Sequence, residues 1–324
     1  MRRTLWALAF LCGCGALGSV ATPEGNLPSS GTAPFTPLEP MPGDRIDAPV
    51  VLSALGTDFD DPAPLMQKGA VELWLTSVRA QAVTIVHTQM QKLADGFSSP
   101  ERALEADQDW EQGQVRSPTV LAGSPWFLFY AAGDAIGLAT SADGKTWQKA
   151  EAPVLTANHA GEGDSLHFPS AVRDGDRVRL YYSAAGAVWA AEAAFTDLET
   201  RSVPTFSRLD GNPSTAVRDP MLAGAPYAIE IGRPFARLEK TPTGRNRTDL
   251  YFGATLTRAT ASSDATTNCG VAASFSGYNF AVSASPILAA RPATDSPAVV
   301  LFSNQLLLLY RQQASGHYAI AAAM

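Results

Sequence analysis

Three segments decide how this chain reads: Val115-Arg116-Ser117-Pro118-Thr119-Val120, Leu166-His167-Phe168-Pro169-Ser170-Ala171 and Val217-Arg218-Asp219-Pro220-Met221-Leu222. Each places an apolar residue and one variable position before an X-Pro step, and the prolines lie 51 and again 51 residues apart. Two further copies flank them, Phe59-Asp60-Asp61-Pro62-Ala63-Pro64 and Thr294-Asp295-Ser296-Pro297-Ala298-Val299. Behind four of the copies comes a short run of aromatic and branched residues: Val71-Glu72-Leu73-Trp74-Leu75, Trp126-Phe127-Leu128-Phe129-Tyr130, Val178-Arg179-Leu180-Tyr181-Tyr182 and Leu306-Leu307-Leu308-Leu309-Tyr310. The copy at Pro220 reaches its run, Leu250-Tyr251-Phe252, only after an insertion. Runs of this kind between turn residues argue strand, not helix.

A second repeat is independent of the first. Residues 137–155 align without a gap on residues 270–288, so that Gly137, Ala139, Ser141, Gly144, Pro153 and Leu155 match Gly270, Ala272, Ser274, Gly277, Pro286 and Leu288. Asp143-Gly144 is a hairpin signal, because both residues tolerate positive φ. Each unit therefore reads as strand, strand, strand, hairpin, strand. Five such units predict an all-β fold, a five-bladed β-propeller with four-stranded antiparallel blades spanning residues 47–324. Two stacked sandwiches are the alternative. The last unit ends at Met324 after only a third strand, Tyr318 to Ala322. Residues near Pro49 to Leu55 are expected to supply its fourth, closing the ring and removing a free sheet edge.

Ahead of the repeats lies a leader. Arg2 and Arg3 precede an apolar run from Leu5 to Leu11 that is too short to cross a bilayer, which takes ~20 apolar residues. Leu11-Cys12-Gly13-Cys14 resembles the bacterial lipobox, which implies a signal peptide over residues 1–14 and lipidation at Cys14; an ordinary cleaved signal is the alternative. Residues 15–46 carry Pro23, Pro28, Pro34, Pro37, Pro40 and Pro42 among Gly, Ser and Thr, a composition that tethers rather than folds. The expectation is an exported protein of the cell envelope, held to a membrane by its lipid. Net charge is −7 with no dense basic face, which argues against nucleic acid as a partner. The four histidines (His87, His159, His167, His317) are scattered and no nucleotide fingerprint occurs, so no metal or cofactor is expected. Cys269, the one cysteine outside the leader, reads as a small buried hydrophobe.

Ser141-Ala142-Asp143-Gly144-Lys145-Thr146-Trp147 resembles the S-x-D-G-x-x-W turn of five-bladed glycosidases, and the Pro118 and Pro169 segments resemble their blade starts. These are the propellers of glycoside hydrolase families 43 and 32. The resemblance covers residues 58–324 and speaks to architecture more than to activity. It implies a carbohydrate ligand and carboxylates at the mouth of a central funnel, one ionised and one kept protonated. Asp61, before Pro62, matches the position of the base or nucleophile. Asp219 resembles the Arg-Asp-Pro motif of the invertase-like branch, at a later blade than that branch has it. The acid, a Glu in a Glu-x-Pro step, has no counterpart, and Phe168 stands where the arabinanase branch has Asp. Glu111, Glu162, Asp164 and Glu230 are candidates for the acid without motif support.

By offset from proline, Asp60, Arg116, His167, Arg218 and Asp295 form one ring, and Asp61, Ser117, Phe168, Asp219 and Ser296 the next. Strand alternation would turn one ring to the funnel and the other into the sheets. The first ring supplies the candidate substrate-binding residues. Arg233, Arg237, Lys240, Arg245 and Arg247 read as a solvated hairpin or lid in the fourth-unit insertion. Two functions follow: a glycoside hydrolase relative acting on a polysaccharide fragment, or a non-catalytic propeller of the same ancestry that binds glycan or docks an envelope protein.

Overall fold

The computed structural model describes residues 50–54, 56–210, 220–257, 266–278, 280–288, 294–314 and 317–324. They form five antiparallel sheets, each a blade. The innermost strands are Asp58–Gln67, Arg116–Leu121, His167–Asp174, Glu230–Lys240 and Thr294–Phe302. Each of these strands packs against the inner strands of the blades before and after it, and the fifth returns to the first, so the ring is closed about one axis. Blade 5 takes its outermost strand from Val50–Leu52, which pairs with His317–Ala323, in the region expected to close the ring.

The X-Pro steps mark one backbone feature repeated five times. Asp61, Ser117, Phe168, Arg233 and Ser296 each precede a proline and each sit at φ between 50° and 52°. In every blade the pairing register to the second strand breaks across this step. Left-handed backbone is costly for residues with a Cβ, and a following proline restricts them further. In four of the five, the amide of the kinked residue donates to a side-chain oxygen. Ser117 N–H donates to Thr76 Oγ1 of blade 1 (2.8 Å) and Arg233 N–H to Ser183 Oγ of blade 3 (2.8 Å). Asp61 and Ser296 N–H donate to the preceding Asp60 and Asp295 carboxylates, both at 2.8 Å.

The fourth blade starts later than the sequence spacing suggested. Pro220 lies outside any strand, and Leu222 bridges Val188 on the third strand of blade 3. The inner strand of blade 4 carries its kink at Arg233-Pro234 instead. The regular 51-residue spacing misled because the connection out of blade 3 happens to hold a similar hexapeptide. For the same reason Arg233 and Arg237 are inner-strand residues and not part of a solvated lid, while Arg247 lies on the second strand, Asn246–Thr257.

Five apolar clusters fill the spaces between successive blades, one for each interface, including the closing one between blades 5 and 1. The 137–155 and 270–288 repeat occupies equivalent places: Val154 N–H donates to Ile136 O in blade 2 and Ile287 N–H to Cys269 O in blade 4, both at 2.9 Å. Its outer-turn aromatics reach back to the preceding blade. Trp147 packs edge-on to Trp74 of blade 1, and Phe280 edge-on to Tyr181 of blade 3. Cys269 is fully buried, as a small core residue. Leu52 is buried in the closing cluster. Leu52→Asp puts a carboxylate there and is expected to lower the unfolding free energy by about 3 kcal/mol, read as a lower urea midpoint; an unchanged midpoint would mean that the ring does not need this strand.

Candidate functional site

The kinked residues and their prolines, Asp61-Pro62, Ser117-Pro118, Phe168-Pro169, Arg233-Pro234 and Ser296-Pro297, converge on the throat of the central channel. Beyond them the channel is lined largely by apolar side chains such as Leu65, Val120, Val172, Leu238 and Val300. Arg173 and Arg237 also border that stretch, but the cluster of carboxylates and guanidiniums lies at the end where the inner strands begin.

Arg233 organises this throat. Its Nη1 lies 2.6 Å from Asp61 Oδ1, 3.1 Å from Asp60 Oδ2 and 2.7 Å from Ser296 Oγ, and its Nε lies 3.0 Å from Asp295 Oδ2. Its guanidinium also lies over the Phe168 ring, 4.2 Å from the centroid. Arg311, on the second strand of blade 5, binds Asp60 Oδ2 (3.0 Å) and Asp295 Oδ2 (3.1 Å). Three carboxylates thus meet two guanidiniums. Strand alternation does not separate Asp60 from Asp61, contrary to the sequence expectation, because the left-handed kink between them turns both toward Arg233.

The two adjacent acids have opposite proton affinities. Burial, then the neighbouring charge of Asp60, push Asp61 up to about 6 against the pull of Arg233. Burial also opposes ionisation of Asp60, but Arg233, Arg311 and the Ser296 hydroxyl outweigh it and hold Asp60 at about 2. Both oxygens of Asp61 are engaged. Oδ1 faces Arg233, and Oδ2 accepts from Ser117 Oγ (2.8 Å) and Thr76 Oγ1 (3.0 Å).

The other side of the mouth has a different character. Arg116 and His167, two residues before the prolines of blades 2 and 3, border a recess of about 230 Å³ together with Glu111, Gln112, Gln114 and Gly133. Arg116 Nη2 donates to Gln114 Oε1 (2.7 Å), and His167 Nε2 meets Ser165 Oγ (2.9 Å). Burial and the Arg116 charge lower the proton affinity of His167, and Asp134 opposes them.

The acid candidates do not join the throat. Glu111 and Glu162 are buried between strands and play one repeated role. Glu111 accepts from Tyr130 Oη (2.8 Å) and pairs with Lys149 (2.7 Å); Glu162 accepts from Tyr182 Oη (2.6 Å) and pairs with Arg208 (2.7 Å). Each ties the loop entering a blade to that blade's second strand. Asp164 and Glu230 are exposed. Arg218, Asp219 and Cys14 lie outside the described residues. In the rings counted from proline, blade 4 contributes Gly232 and Arg233 in place of Arg218 and Asp219. Sequence reasoning missed Arg233 and Arg311. The Arg233-Pro234 step was the available signal for the first; nothing local marks the second.

No protein-family model matches the sequence, and no curated protein matches it. The fold does match solved structures. A structure from work on glycoside hydrolase family 130, described as mannoside phosphorylases containing glycoside hydrolases that target β-1,2 mannosidic linkages in Candida mannan, superposes with a TM-score of 0.65 at 14% identity, over 92% of this chain and 95% of the other. A glycosyl hydrolase from Bacteroides ovatus gives 0.60 at 13%, over 82% and 84%. The family 62 α-L-arabinofuranosidase of Coprinopsis cinerea gives 0.58 at 12%, over 89% and 94%. The chain thus has the fold of the five-bladed glycoside hydrolase propellers.

The raised Asp61 has a consequence for stability. An acid that holds its proton more tightly folded than unfolded costs stability as pH rises from its unfolded value near 3.8 to its folded value of about 6, and the cost is complete above that. The unfolding free energy is expected to lose about 3 kcal/mol from this group between pH 4 and pH 7. Asp61→Asn removes that slope. Urea denaturation of both proteins across this range reads it, and parallel pH profiles would refute it.

Proposed function

We propose that this chain is an exported, lipid-anchored propeller that binds glycan and does not hydrolyse it. One observation carries the reading: the Asp-Pro carboxylate that would serve as base, Asp61, has both oxygens taken by Arg233, Ser117 and Thr76. Glycoside hydrolysis needs two carboxyl groups that flank the scissile bond. Asp60 and Asp61 differ in proton affinity as such a pair would, but both bind the same nitrogen of Arg233, which fills the space between them. At the blade 4 start the position two before proline, where a Glu-x-Pro step would carry the acid, holds Gly232. Asp295 is tied to Arg233 and Arg311. What remains is a concave mouth with mixed charge and aromatic surface, suited to hydroxylated ligands.

The fold relatives act on glycosidic bonds, which supports carbohydrate as the ligand class. The leader supports the anchor, with residues 15–46 as the tether and Cys14 as the lipidated residue.

Affinity electrophoresis of the purified full chain on plant and microbial polysaccharides, beside a panel of chromogenic arabinosides, xylosides, fructosides and mannosides, tests the first part. Retardation by at least one polysaccharide with no chromophore release is expected. Release that disappears in Asp61→Asn would overturn it, and capture of one envelope protein without glycan binding would favour the docking alternative. For the anchor, incorporation of labelled fatty acid is expected in the parent and not in Cys14→Ser, which should leave the membrane fraction. An unlabelled parent would refute lipidation.

A further inference from the structure

The mouth is electrically divided. On the side of blades 5 and 1, Asp60, Asp61 and Asp295 are matched by Arg233 and Arg311. On the side of blades 2 and 3, Arg116 has no carboxylate partner among the described residues; its side chain donates to the neutral Gln114, and Glu111, which also lines the recess, is engaged by Lys149 and Tyr130. His167 stands across the same recess. We infer that this recess takes the carboxylate of an acidic sugar residue, so that the glycan bound by the propeller is a uronate-bearing one.

The inference rests on the carbohydrate reading above and narrows it. A guanidinium offers five donors in a fixed fork that matches a carboxylate edge to edge. Arg116 uses one donor on Gln114 and leaves the rest for a ligand. His167 uses Nε2 on Ser165, and its other ring nitrogen is free among the described residues. Both residues occupy the same position, two before the proline, on neighbouring inner strands, so one group can meet both. The recess is smaller than the about 300–1,000 Å³ of drug-sized pockets, and suits one sugar unit with the rest of the chain continuing over the throat. Gly133 on its rim admits no side chain, since a Cβ there would lie 2.6 Å from Trp110 O and 3.0 Å from the Gln112 amide. Burial, then the Arg116 charge, disfavour the imidazolium of His167, with Asp134 pulling the other way. The whole chain carries −7, so attraction is local to the recess and weakens with salt.

The experiment is calorimetry of the full chain with oligogalacturonate and oligoglucuronate, their neutral methyl esters, and inorganic phosphate, combined with NMR titration of the His167 ring. At least one acid form is expected to bind about tenfold more tightly than its ester, the worth of one charge-assisted contact. Arg116→Gln should erase that difference, and Arg116→Lys should retain part of it. The bound acid should also raise the His167 pKa, because an anion stabilises the imidazolium. Equal affinity for acid and ester, or an acid preference that survives Arg116→Gln, overturns the inference and leaves glycan binding intact. Phosphate that shifts His167 in the absence of any preference for acid glycans overturns it in favour of a free-anion site. Failure of every glycan, neutral ones included, sinks the carbohydrate reading as well.

Discussion

A left-handed residue directly before a proline, repeated once in each blade, is the constraint on which the rest of this structure depends. Asp61, Ser117, Phe168, Arg233 and Ser296 share it to within a few degrees of φ. None is glycine, so each kink costs of the order of 1–3 kcal/mol and persists only because its surroundings fix it. Those surroundings are the neighbouring blades. Thr76 and Ser183 accept kinked amides from the next blade, and Ser170 accepts Ala236 N–H across the blade 3–blade 4 interface. The kink turns consecutive side chains toward one axis, which a flat strand cannot do. A throat lined by five X-Pro steps is the result.

The same constraint explains the charge arrangement. Because the kink brings Asp60 and Asp61 to one place, a single guanidinium from the opposite side of the ring can hold both. Buried charges without partners are expensive, and the throat avoids this by meeting three acids with two arginines. The shared proton demand then falls on Asp61, whose neighbour is better placed for Arg311. A hydrolytic pair requires its two carboxyls to stand apart, with the sugar between them. In this throat the intervening position belongs to Arg233.

Much of the fold was legible because repetition is visible without structure. Four of five inner strands, the 137–155 and 270–288 correspondence, and the closing strand at Val50–Leu52 all follow from X-Pro steps, turn residues and the missing last strand. The fourth start did not, since Pro220 satisfied the spacing and Pro234 did not. That one displacement hid the centre of the site, because it assigned Arg233 to a surface hairpin. Glu111 and Glu162 show the opposite limit. As isolated acids they looked available for chemistry, and only the contacts to Tyr130 and Tyr182 reveal them as fasteners between loop and blade. Pairing across blades depends on distances between segments far apart in the chain, such as Asp60 and Arg311, and no local pattern encodes these.

The account turns on the bond between Arg233 and Asp61, and a double-mutant cycle measures it most directly. Unfolding free energies of the parent, Arg233→Met, Asp61→Asn and the double variant at pH 7.5 give the coupling energy of the pair. A coupling of about 2 kcal/mol or more is predicted, because Arg233→Met strands the Asp61 carboxylate in the throat and does so only while Asp61 is present. A coupling indistinguishable from zero would mean that Arg233 does not hold Asp61, and the case for a non-hydrolytic throat would lose its foundation.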